Sequence, residues 1–547
     1  MYDEIIKLPF QKALSKLNIN EEVDIILEFP KNPEHGDLST NIAMQLAGKL
    51  KKQPRQIAQE VINAIEYDKN IIDKLDIAGA GFINIKFSNK FYSQALKNIY
   101  EIGNNFGKSD KGNGIKVNVE YVSVNPTGLL HLGHGRNACI GDTIANLYVW
   151  MGYDVTREYY FNNAGNQMNN LAKSIYARYR QQLDNPDFPF PENGYHGDYI
   201  KEIANDLING NSDKLIEENE ENLTIIRKFG EKWCFGKIKK TLERMSIHQD
   251  VYYNEDSLYS DGKIKDVIDE FKKKQIAYEK DGALWLALSK MGLEDDRVIV
   301  KSTGEPTYRL PDIAYHREKF LRGFDLLIDI FGSDHIATVP DVLAGVKALG
   351  FGPDKVKVYI HQFVTLTENG EQIKMSKRTG KSYTLDDLLD EVGPDVVRFF
   401  LLMRGISTHL EFDLGLAREQ SDKNPVFYLQ YAHARLCSVF DNAESKGLKL
   451  NDDVDFQLLQ HETEINLIKQ LLTFPDFIEL ACNKGEPQVL ADYLRELAAA
   501  FHVFYHDCRI LGVGDKLSIA RLALAKVTLI AMKNGLTILG ISAPTRM

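Results

Sequence analysis

Two histidines three positions apart, His131 and His134, lie in the glycine-rich stretch HLGHGR at residues 131–136. Three interpretations are open for such a pair: ligands of a metal, hydrogen-bond donors to a nucleotide, or a purely structural pair. Helical zinc ligands are typically spaced by four residues, come with a nearby acid and need further ligands. The spacing of three and the lack of a nearby cysteine therefore disfavour zinc.

The flanking sequence favours a nucleotide site. The stretch VEYVSVNPTGLLHLGHGR passes from a strand-like segment through Pro126-Thr127-Gly128 into a helical one. The histidines are thus predicted to follow the carboxyl end of a parallel strand, where open α/β sheets bind ligands. Backbone N–H groups at the helix start attract phosphate, and Gly133 and Gly135 are expected to let the ligand approach the backbone. Histidine N–H groups can stabilise the charge that develops on phosphate.

A second candidate site is the basic stretch ENGEQIKMSKRTG at residues 368–380. Asn369-Gly370 is a hairpin-turn signal, and Lys374 to Arg378 follow it. Taken alone, such a cluster is typical of a solvated loop or a general anion patch. However, it follows the histidine pair across a segment of alternating strands and helices, and the two motifs together favour nucleotide chemistry.

The two stretches resemble the HIGH and KMSKS motifs of class I aminoacyl-tRNA synthetases, in the same order. Further stretches extend the resemblance over essentially the whole chain to arginyl-tRNA synthetases: REYYFNNAGNQ, TYRLPDIAYHREKF, GSDH, PVFYLQYAHAR and SAPTRM. The resemblance implies an arginine–tRNA ligase, which activates L-arginine with ATP to arginyl-adenylate and transfers it to the 3′-terminal ribose of tRNA(Arg). Mg²⁺ is expected with the ATP phosphates.

The resemblance also assigns residues to ATP chemistry. The catalytic residues are predicted to be His131, His134, Lys374 and Lys377. The ATP-binding residues are predicted to be His131, Gly133, His134, Lys374, Met375, Ser376 and Lys377. The two lysines would hold the β- and γ-phosphates as pyrophosphate leaves, in a loop that closes over ATP. No side chain is predicted to ligate a metal.

A guanidinium ligand is planar, permanently charged and fork-shaped, so its receptor should offer carboxylates and a nearby ring. By resemblance, the arginine-binding residues are Glu120, Asn125, His131, Tyr308, Asp312 and Asp334. Two positions depart from the family pattern. Asn163 stands where an acid is usual, and Leu310-Pro311 replaces residues that commonly carry hydroxyls.

The elements that must position these residues indicate an α/β protein: a Rossmann-type parallel sheet with an N-terminal α+β domain and a C-terminal helical bundle. Strand-like and helical periodicities alternate over residues 115–395, which is typical of a parallel sheet built from βα units. A polar insertion is predicted around 185–280. The N-terminal domain is predicted over 1–108 and the helical, anticodon-binding domain over 396–547.

Both flanking domains are predicted to bind tRNA. Phe82 and Asn84 share one face of a strand, which suits stacking and edge hydrogen bonds to an unstacked base, although Phe82 also fits a core position. The helix PVFYLQYAHAR is rich in aromatic residues that fit an RNA surface or the bundle core.

The composition of the chain limits the classes of function that it can have. The 547-residue chain carries a net charge of −11, so a nucleic-acid surface must be local. Its five cysteines form no Cys-x-x-Cys pair, and its most apolar late stretch is interrupted by Arg521 and Lys526, which disfavours a membrane span. We expect a cytoplasmic monomer. The alternatives are another class I synthetase, a catalytically inactive tRNA-binding homologue and a small-molecule adenylyltransferase.

Overall fold

The computed structural model describes residues 2–19, 23–28, 30, 35–211, 214–368, 370–373, 383–450 and 453–547. The chain divides into two compact units. The first comprises Met1–Phe106, Arg435–Thr473 and Leu497–Ala531, and the second comprises Gly107–Ala434, Phe474–Glu496 and Met532–Met547.

The N-terminal part of the first unit is an antiparallel sheet with helices. Its elements are α1 (Tyr2–Lys16), β1 (Leu27–Glu28), β2 (Leu38–Thr40), α2 (Ile42–Leu50), α3 (Pro54–Ala64), β3 (Ile72–Ala78), β4 (Phe82–Phe87) and α4 (Asn89–Ile102). The strand order is β1-β2-β4-β3. Ile83, Ile85 and Phe87 on β4 are buried, as their alternation predicts. Ser88 begins α4 by accepting a hydrogen bond from the N–H of Phe91 at 3.1 Å.

A five-stranded parallel sheet forms the centre of the second unit. Its first elements are β5 (Lys116–Glu120), α5 (Leu132–Trp150), β6 (Asp154–Phe161), α6 (Gly165–Leu183), α7 (Asp198–Asn211), α8 (Glu220–Arg244) and β7 (Val251–Asn254). They are followed by α9 (Asp256–Ser260), α10 (Lys263–Lys273), β8 (Ala277–Lys280), β9 (Ala283–Leu286), β10 (Arg297–Val300), α11 (Arg309–Leu321), β11 (Leu326–Gly332), α12 (Val339–Ala348) and β12 (Val356–His361). The strand order is β12-β11-β5-β6-β7, and every pair is parallel. The Rossmann-type parallel sheet is thereby confirmed.

The stretch predicted as an insertion, 185–280, divides in two. Helices α7 and α8 pack with α6 around a hydrophobic core of their own. The short strand β7 instead pairs with β6 and forms an edge of the main sheet. Its four residues, VYYN, are too few to show a strand period beside their polar flanks, which is why the pattern assigned them to the insertion.

The remaining elements complete a small second sheet and a helical region. They are β13 (Val364–Glu368), β14 (Glu371–Gln372), α13 (Leu385–Val392), α14 (Pro394–Leu402), β15 (Leu410–Asp413), α15 (Leu414–Arg418), α16 (Pro425–Ser445), α17 (Glu462–Leu472), α18 (Phe474–Lys484), α19 (Pro487–Asp507) and α20 (Asp515–Leu539). β15 pairs with β13 in parallel. The segment after residue 396 therefore contains a strand between α14 and α15, because β13 offers β15 a partner that local periodicity cannot reveal.

One helix in the described part of the chain, α20, has the length and composition to cross a membrane. However, 78% of its most apolar window is buried inside the protein. It is therefore mostly buried in the manner of a core helix.

Candidate active site at the carboxyl edge of the parallel sheet

The two histidines begin α5 as a reciprocal cap. The Nδ1 atom of His131 accepts a hydrogen bond from the N–H of Gly133 at 3.1 Å, and Nδ1 of His134 accepts one from the N–H of His131 at 3.3 Å. The two rings stack with centroids 3.5 Å apart. Because each Nδ1 accepts, the proton of each neutral imidazole lies on Nε2, so both side chains are configured as N–H donors.

His134 is held neutral. Burial, together with the neighbouring His131 and His361, lowers the pKa of its imidazole to about 3. At neutral pH this side chain therefore acts as a hydrogen-bond donor without a net charge. Such a donor can stabilise a phosphate oxygen without drawing in a counterion.

The two glycines of the motif have different surroundings. A Cβ on Gly133 would meet only the ring of His131, at 3.1 Å. A Cβ on Gly135 would instead lie 2.9 Å from Leu385 and 3.3 Å from Leu401. The expectation that Gly135 leaves room for a ligand is therefore wrong, because protein side chains occupy that space.

The backbone between β5 and α5 is strained. Val122 and Ser123 adopt φ angles of +68° and +46°, a region that β-branched residues rarely enter. The N–H of Val122 donates to Oδ1 of Asn137 at 2.6 Å, and Oγ of Ser123 accepts from the N–H of Tyr160 at 3.1 Å. These contacts hold the turn in place. Strain held in this way is characteristic of functional sites.

Asn125 lies just beyond this turn and is fixed by the segment after β6. Its Oδ1 accepts from the N–H of Asn162 at 2.9 Å, and its Nδ2 donates to Oε1 of Gln167 at 3.0 Å. The motif NNAGNQ thus orients Asn125, which the sequence assigned to arginine binding. Asn163, the departure from the family pattern, donates to Glu231 at 2.8 Å.

Glu120 ends β5 and is buried, with 4% of its surface exposed. Its Oε1 accepts from Oγ of Ser123 at 3.0 Å, and its Oε2 accepts from Nζ of Lys319 at 2.6 Å. Burial raises the pKa of this carboxyl, and the Lys319 ammonium opposes that rise. Both oxygens of the predicted arginine ligand therefore already have partners within the protein.

Asp312 lies in the first turn of α11. Burial raises the pKa of its carboxyl to about 7; His316 opposes the rise, and Glu120, Glu255 and Asp329 add to it. Among the described residues, no ion pair reaches this carboxylate. Ionisation of Asp312 is thus unfavourable unless a cation binds beside its carboxylate.

Asp312 also lines a cavity between α11 and α12. The lining of the cavity combines polar side chains, among them Asp312 and His316, with apolar ones such as Val339, Val342 and Val358. Tyr308, one turn before Asp312, is 86% exposed, which is unusual for a large aromatic residue. Its ring is accessible to a ligand.

One more predicted arginine-binding residue, Asp334, lies at the same sheet edge. Asp334 is the second residue after β11; its side chain is 75% exposed, and its carboxylate lies 3.8 Å from Nε2 of His335. β11 is adjacent and parallel to β5, so the ends of the two strands share one edge. The other predicted ATP-binding residues, Lys374, Met375, Ser376 and Lys377, lie outside the described residues.

Comparison with known proteins shows the family of the chain. A sequence profile described as "tRNA synthetases class I (R), catalytic domain" matches residues 95–398. "Arginyl tRNA synthetase N terminal domain" matches residues 4–87, and "DALR anticodon binding domain" matches residues 429–547. The chain is 47% identical to the arginine–tRNA ligase of Salinibacter ruber, over 100% of both chains. The chain belongs to the arginyl-tRNA synthetase family.

Two further relatives extend the match. The arginine–tRNA ligase of Bacillus subtilis is 44% identical over 100% of this chain and 99% of its own. The solved arginyl-tRNA synthetase of Thermus thermophilus shares the fold with a TM-score of 0.78 over 100% of both chains, at 20% identity. Both lie in the arginyl-tRNA synthetase family, and none of these matches supports the alternative functions.

Sequence reasoning missed a further acid near this edge of the sheet. Glu255 follows β7 directly and accepts a hydrogen bond from the hydroxyl of Tyr160 at 2.7 Å. Its charge helps raise the pKa of Asp312, so the two carboxylates lie near each other. An acid that directly follows a strand of the parallel sheet could have been recognised as a candidate site residue. Glu255 was not recognised because the sequence pattern assigned β7 to the insertion.

The predicted tRNA-binding pair of the N-terminal domain lies on β4. Phe82 is partly exposed and pairs with Ala78 across the β3–β4 hairpin. Asn84 is only 6% exposed and pairs with Ser39 and Asp76. Partial exposure of Phe82 is compatible with stacking on a base. The role of both residues stays a prediction.

Proposed function

We propose that this chain is an arginine–tRNA ligase whose reaction takes place at the carboxyl edge of the parallel sheet. The observation that carries the proposal is the meeting of two kinds of group at that edge. Neutral N–H donors, His131 and His134, start α5, and the acids Asp312 and Glu255 follow a helix start and a strand end. One set suits phosphate and the other suits a guanidinium.

The arginine end of the site is proposed as follows. The carboxylates of Asp312 and Glu255 receive the guanidinium N–H groups, and the exposed ring of Tyr308 lies against the guanidinium plane. Charge neutralisation by the substrate lowers the pKa of Asp312 back toward its usual range. The remaining predicted ligands, Glu120, Asn125, His131 and Asp334, lie at the ends of β5 and β11, where the amino-acid end of the substrate would be held.

The ATP end lies at the start of α5. In the first step an oxygen of the arginine carboxylate attacks the α-phosphorus, the bond to the bridging oxygen breaks, and pyrophosphate leaves. The Nε2–H groups of His131 and His134 stabilise the charge on the phosphate oxygens, and Gly133 lets the nucleotide approach the backbone. We propose that Lys374 and Lys377 hold the leaving phosphates, with Met375 and Ser376 in the same loop.

In the second step the terminal ribose hydroxyl of tRNA(Arg) attacks the arginyl carbonyl and AMP leaves. Phe82 and Asn84 are proposed contacts of the tRNA elbow. The chain is also proposed to be a cytoplasmic monomer.

We propose that Mg²⁺ arrives as a counterion of the ATP phosphates. Within the described residues, no three His, Cys, Asp or Glu side chains are grouped so that they could hold a metal ion. The triphosphate itself would therefore supply most of the ligands, as is usual for this cation.

The test is ATP–pyrophosphate exchange with arginine, lysine, glutamate and glutamine, each with and without tRNA(Arg). Exchange should depend on arginine alone, because a site built around buried acids rejects an analogue that leaves them unpaired. Exchange with another amino acid would contradict the proposal. Lys377→Ala should reduce exchange by orders of magnitude while tRNA affinity changes little, since its partner is the pyrophosphate.

A further inference from the structure

Three buried acids form a row across the central sheet. Asp329 on β11 lies opposite Glu120 on β5, and Glu120 lies opposite Glu158 on β6. Their exposed fractions are 0%, 4% and 0%. Three carboxylates at this spacing in the protein interior would repel one another strongly without compensating cations.

Helix α11 supplies the compensation. Nζ of Lys319 donates to Oε2 of Glu120 at 2.6 Å and to Oδ1 of Asp329 at 2.8 Å, and the Lys319 side chain is fully buried. The guanidinium of Arg322 meets Glu158 with two bonds of 2.7 Å. Each acid of the row is therefore paired from the same helix, and Lys319 alone joins two strands.

The same helix carries Asp312. Asp312, His316 and Lys319 are spaced by four and three residues, so they lie along one face of α11. His316 links them: its Nδ1 contacts the carbonyl oxygen of Asp312 at 2.7 Å, and its Nε2 contacts Oδ2 of Asp329 at 2.9 Å. The face that pairs with the acid row is thus the face that presents Asp312 to the cavity.

We propose that Lys319 is a positioning residue of the arginine site. Its ammonium joins Glu120 to Asp329. Because Asp312 lies two turns before Lys319 on α11, this pairing fixes the position of Asp312 relative to Glu120. The inference rests on the proposed roles of Glu120 and Asp312 in binding arginine. It assigns no contact with substrate to Lys319, which is fully buried. Lys319 also compensates Glu120, whereas no ion pair within the described part of the chain reaches Asp312.

The test replaces the ammonium by an apolar group of similar length, Lys319→Met, and measures arginine-dependent ATP–pyrophosphate exchange. We expect the KM for arginine to rise about tenfold or more, since small displacements of binding groups have effects of this size. The KM for ATP should stay within about twofold, because His131 and His134 are held by the cap of α5. An unchanged KM for arginine, or an equal rise in both KM values, would overturn the proposal.

A second variant covers the case in which Lys319→Met does not fold. Asp329→Asn keeps the size of a side chain that is fully buried and removes one of the two negative charges that face Lys319. The KM for arginine should again rise more than the KM for ATP. An unchanged ratio of the two KM values in the folded Asp329→Asn protein would also overturn the proposal.

Arg398→Met is the matched control. Arg398 is a buried cation of the same unit, paired with Asp142 at 2.6 Å and with backbone carbonyls of Met245 and Leu539. Its loss should lower the thermal midpoint without raising the KM for arginine relative to that for ATP. If the unmodified enzyme shows no arginine-dependent exchange, the proposed function fails. If the unmodified enzyme is active and Lys319→Met behaves like Arg398→Met, only the role of Lys319 fails.

Discussion

At the scale of single residues, the chemistry depends on protonation states that the surroundings impose. His134 is neutral because it is buried beside two other histidines, and the cap of α5 places its proton on Nε2. For Asp312, burial and neighbouring acids raise the pKa of the carboxyl to about 7, so that it is partly protonated at neutral pH. His134 is therefore an uncharged hydrogen-bond donor. Asp312 is an acceptor whose ionised form would be stabilised by a bound cation.

Replacing Asp312 by asparagine tests the second role. Asp312→Asn keeps the shape but removes the charge, and kcat/KM for arginine should fall about 100-fold, which corresponds to about 3 kcal/mol for a charge-assisted pair in a buried site. The KM for ATP should change by less than about threefold. Initial rates of pyrophosphate exchange at varied arginine and ATP measure both values, and unchanged arginine kinetics would remove Asp312 from the site.

The raised pKa of Asp312 also predicts a pH dependence. Its pKa is about 7 in the free protein, so the carboxyl is protonated and uncharged at lower pH and ionised at higher pH. kcat/KM for arginine, which reports the free enzyme, should therefore fall as pH drops from about 8 to 6. The same profile in Asp312→Asn should lack this step. A step that persists in the variant would assign the titration to another group.

At the scale of elements, α5 is placed by close packing and by one buried cation. A Cβ on Gly141 would lie 2.2 Å from Cγ of Tyr121, so the helix contacts the end of β5 directly. Arg136 donates to the carbonyl oxygens of Gln362, Thr408 and Gly405 at 2.8–2.9 Å. These contacts fix the start of α5, and with it the two histidines.

Gly141→Ala should therefore destabilise the protein. The added methyl group overlaps the ring of Tyr121, and overpacking of this kind costs about 1–3 kcal/mol. Gly236→Ala is the matched control, because Gly236 lies inside α8 with no atom near its missing Cβ. That variant should be about 0.5–1 kcal/mol more stable. Thermal and urea unfolding would measure both, and equal effects would contradict the packing explanation.

At the scale of the whole molecule, the last residues of the chain belong to the unit that contains the parallel sheet. Residues Met532–Met547 belong to the unit that contains Gly107–Ala434. The N–H of Ser542 donates to Asp395 at 2.9 Å, and the carbonyl oxygen of Pro544 contacts Nδ1 of His433 at 2.9 Å. Ile541 is 4% exposed. The final residues thus stabilise the unit that holds the active site.

Deletion of residues 541–547 should accordingly lower the free energy of unfolding by about 3 kcal/mol, the sum of one buried aliphatic side chain and several hydrogen bonds. The thermal midpoint should fall by several degrees in differential scanning calorimetry. Deletion of Met547 alone, which is 56% exposed, should leave the midpoint unchanged. A shorter chain with the original midpoint would show that the terminal segment contributes no stability.

Local patterns were sufficient for much of this description. The strands β6, β11 and β12, the helix after HLGHGR and the Rossmann-type sheet follow from periodicities of two and 3.6 residues. The family followed from motifs in order along the chain. The assignments that failed or were missed, such as the room at Gly135, the strand β7 and Glu255, all depend on neighbours distant in sequence.

The sequence by itself determined the fold class and the family, because these are encoded in residue type and spacing. The tertiary structure decided which acids are paired with a cation of the protein itself. Glu120 and Asp312 are equally acidic in the sequence, yet Lys319 lies 2.6 Å from one, while no ion pair among the described residues reaches the other. Burial and the nearest cation set the charge of a carboxyl, and both depend on how strands and helices far apart in the chain pack together.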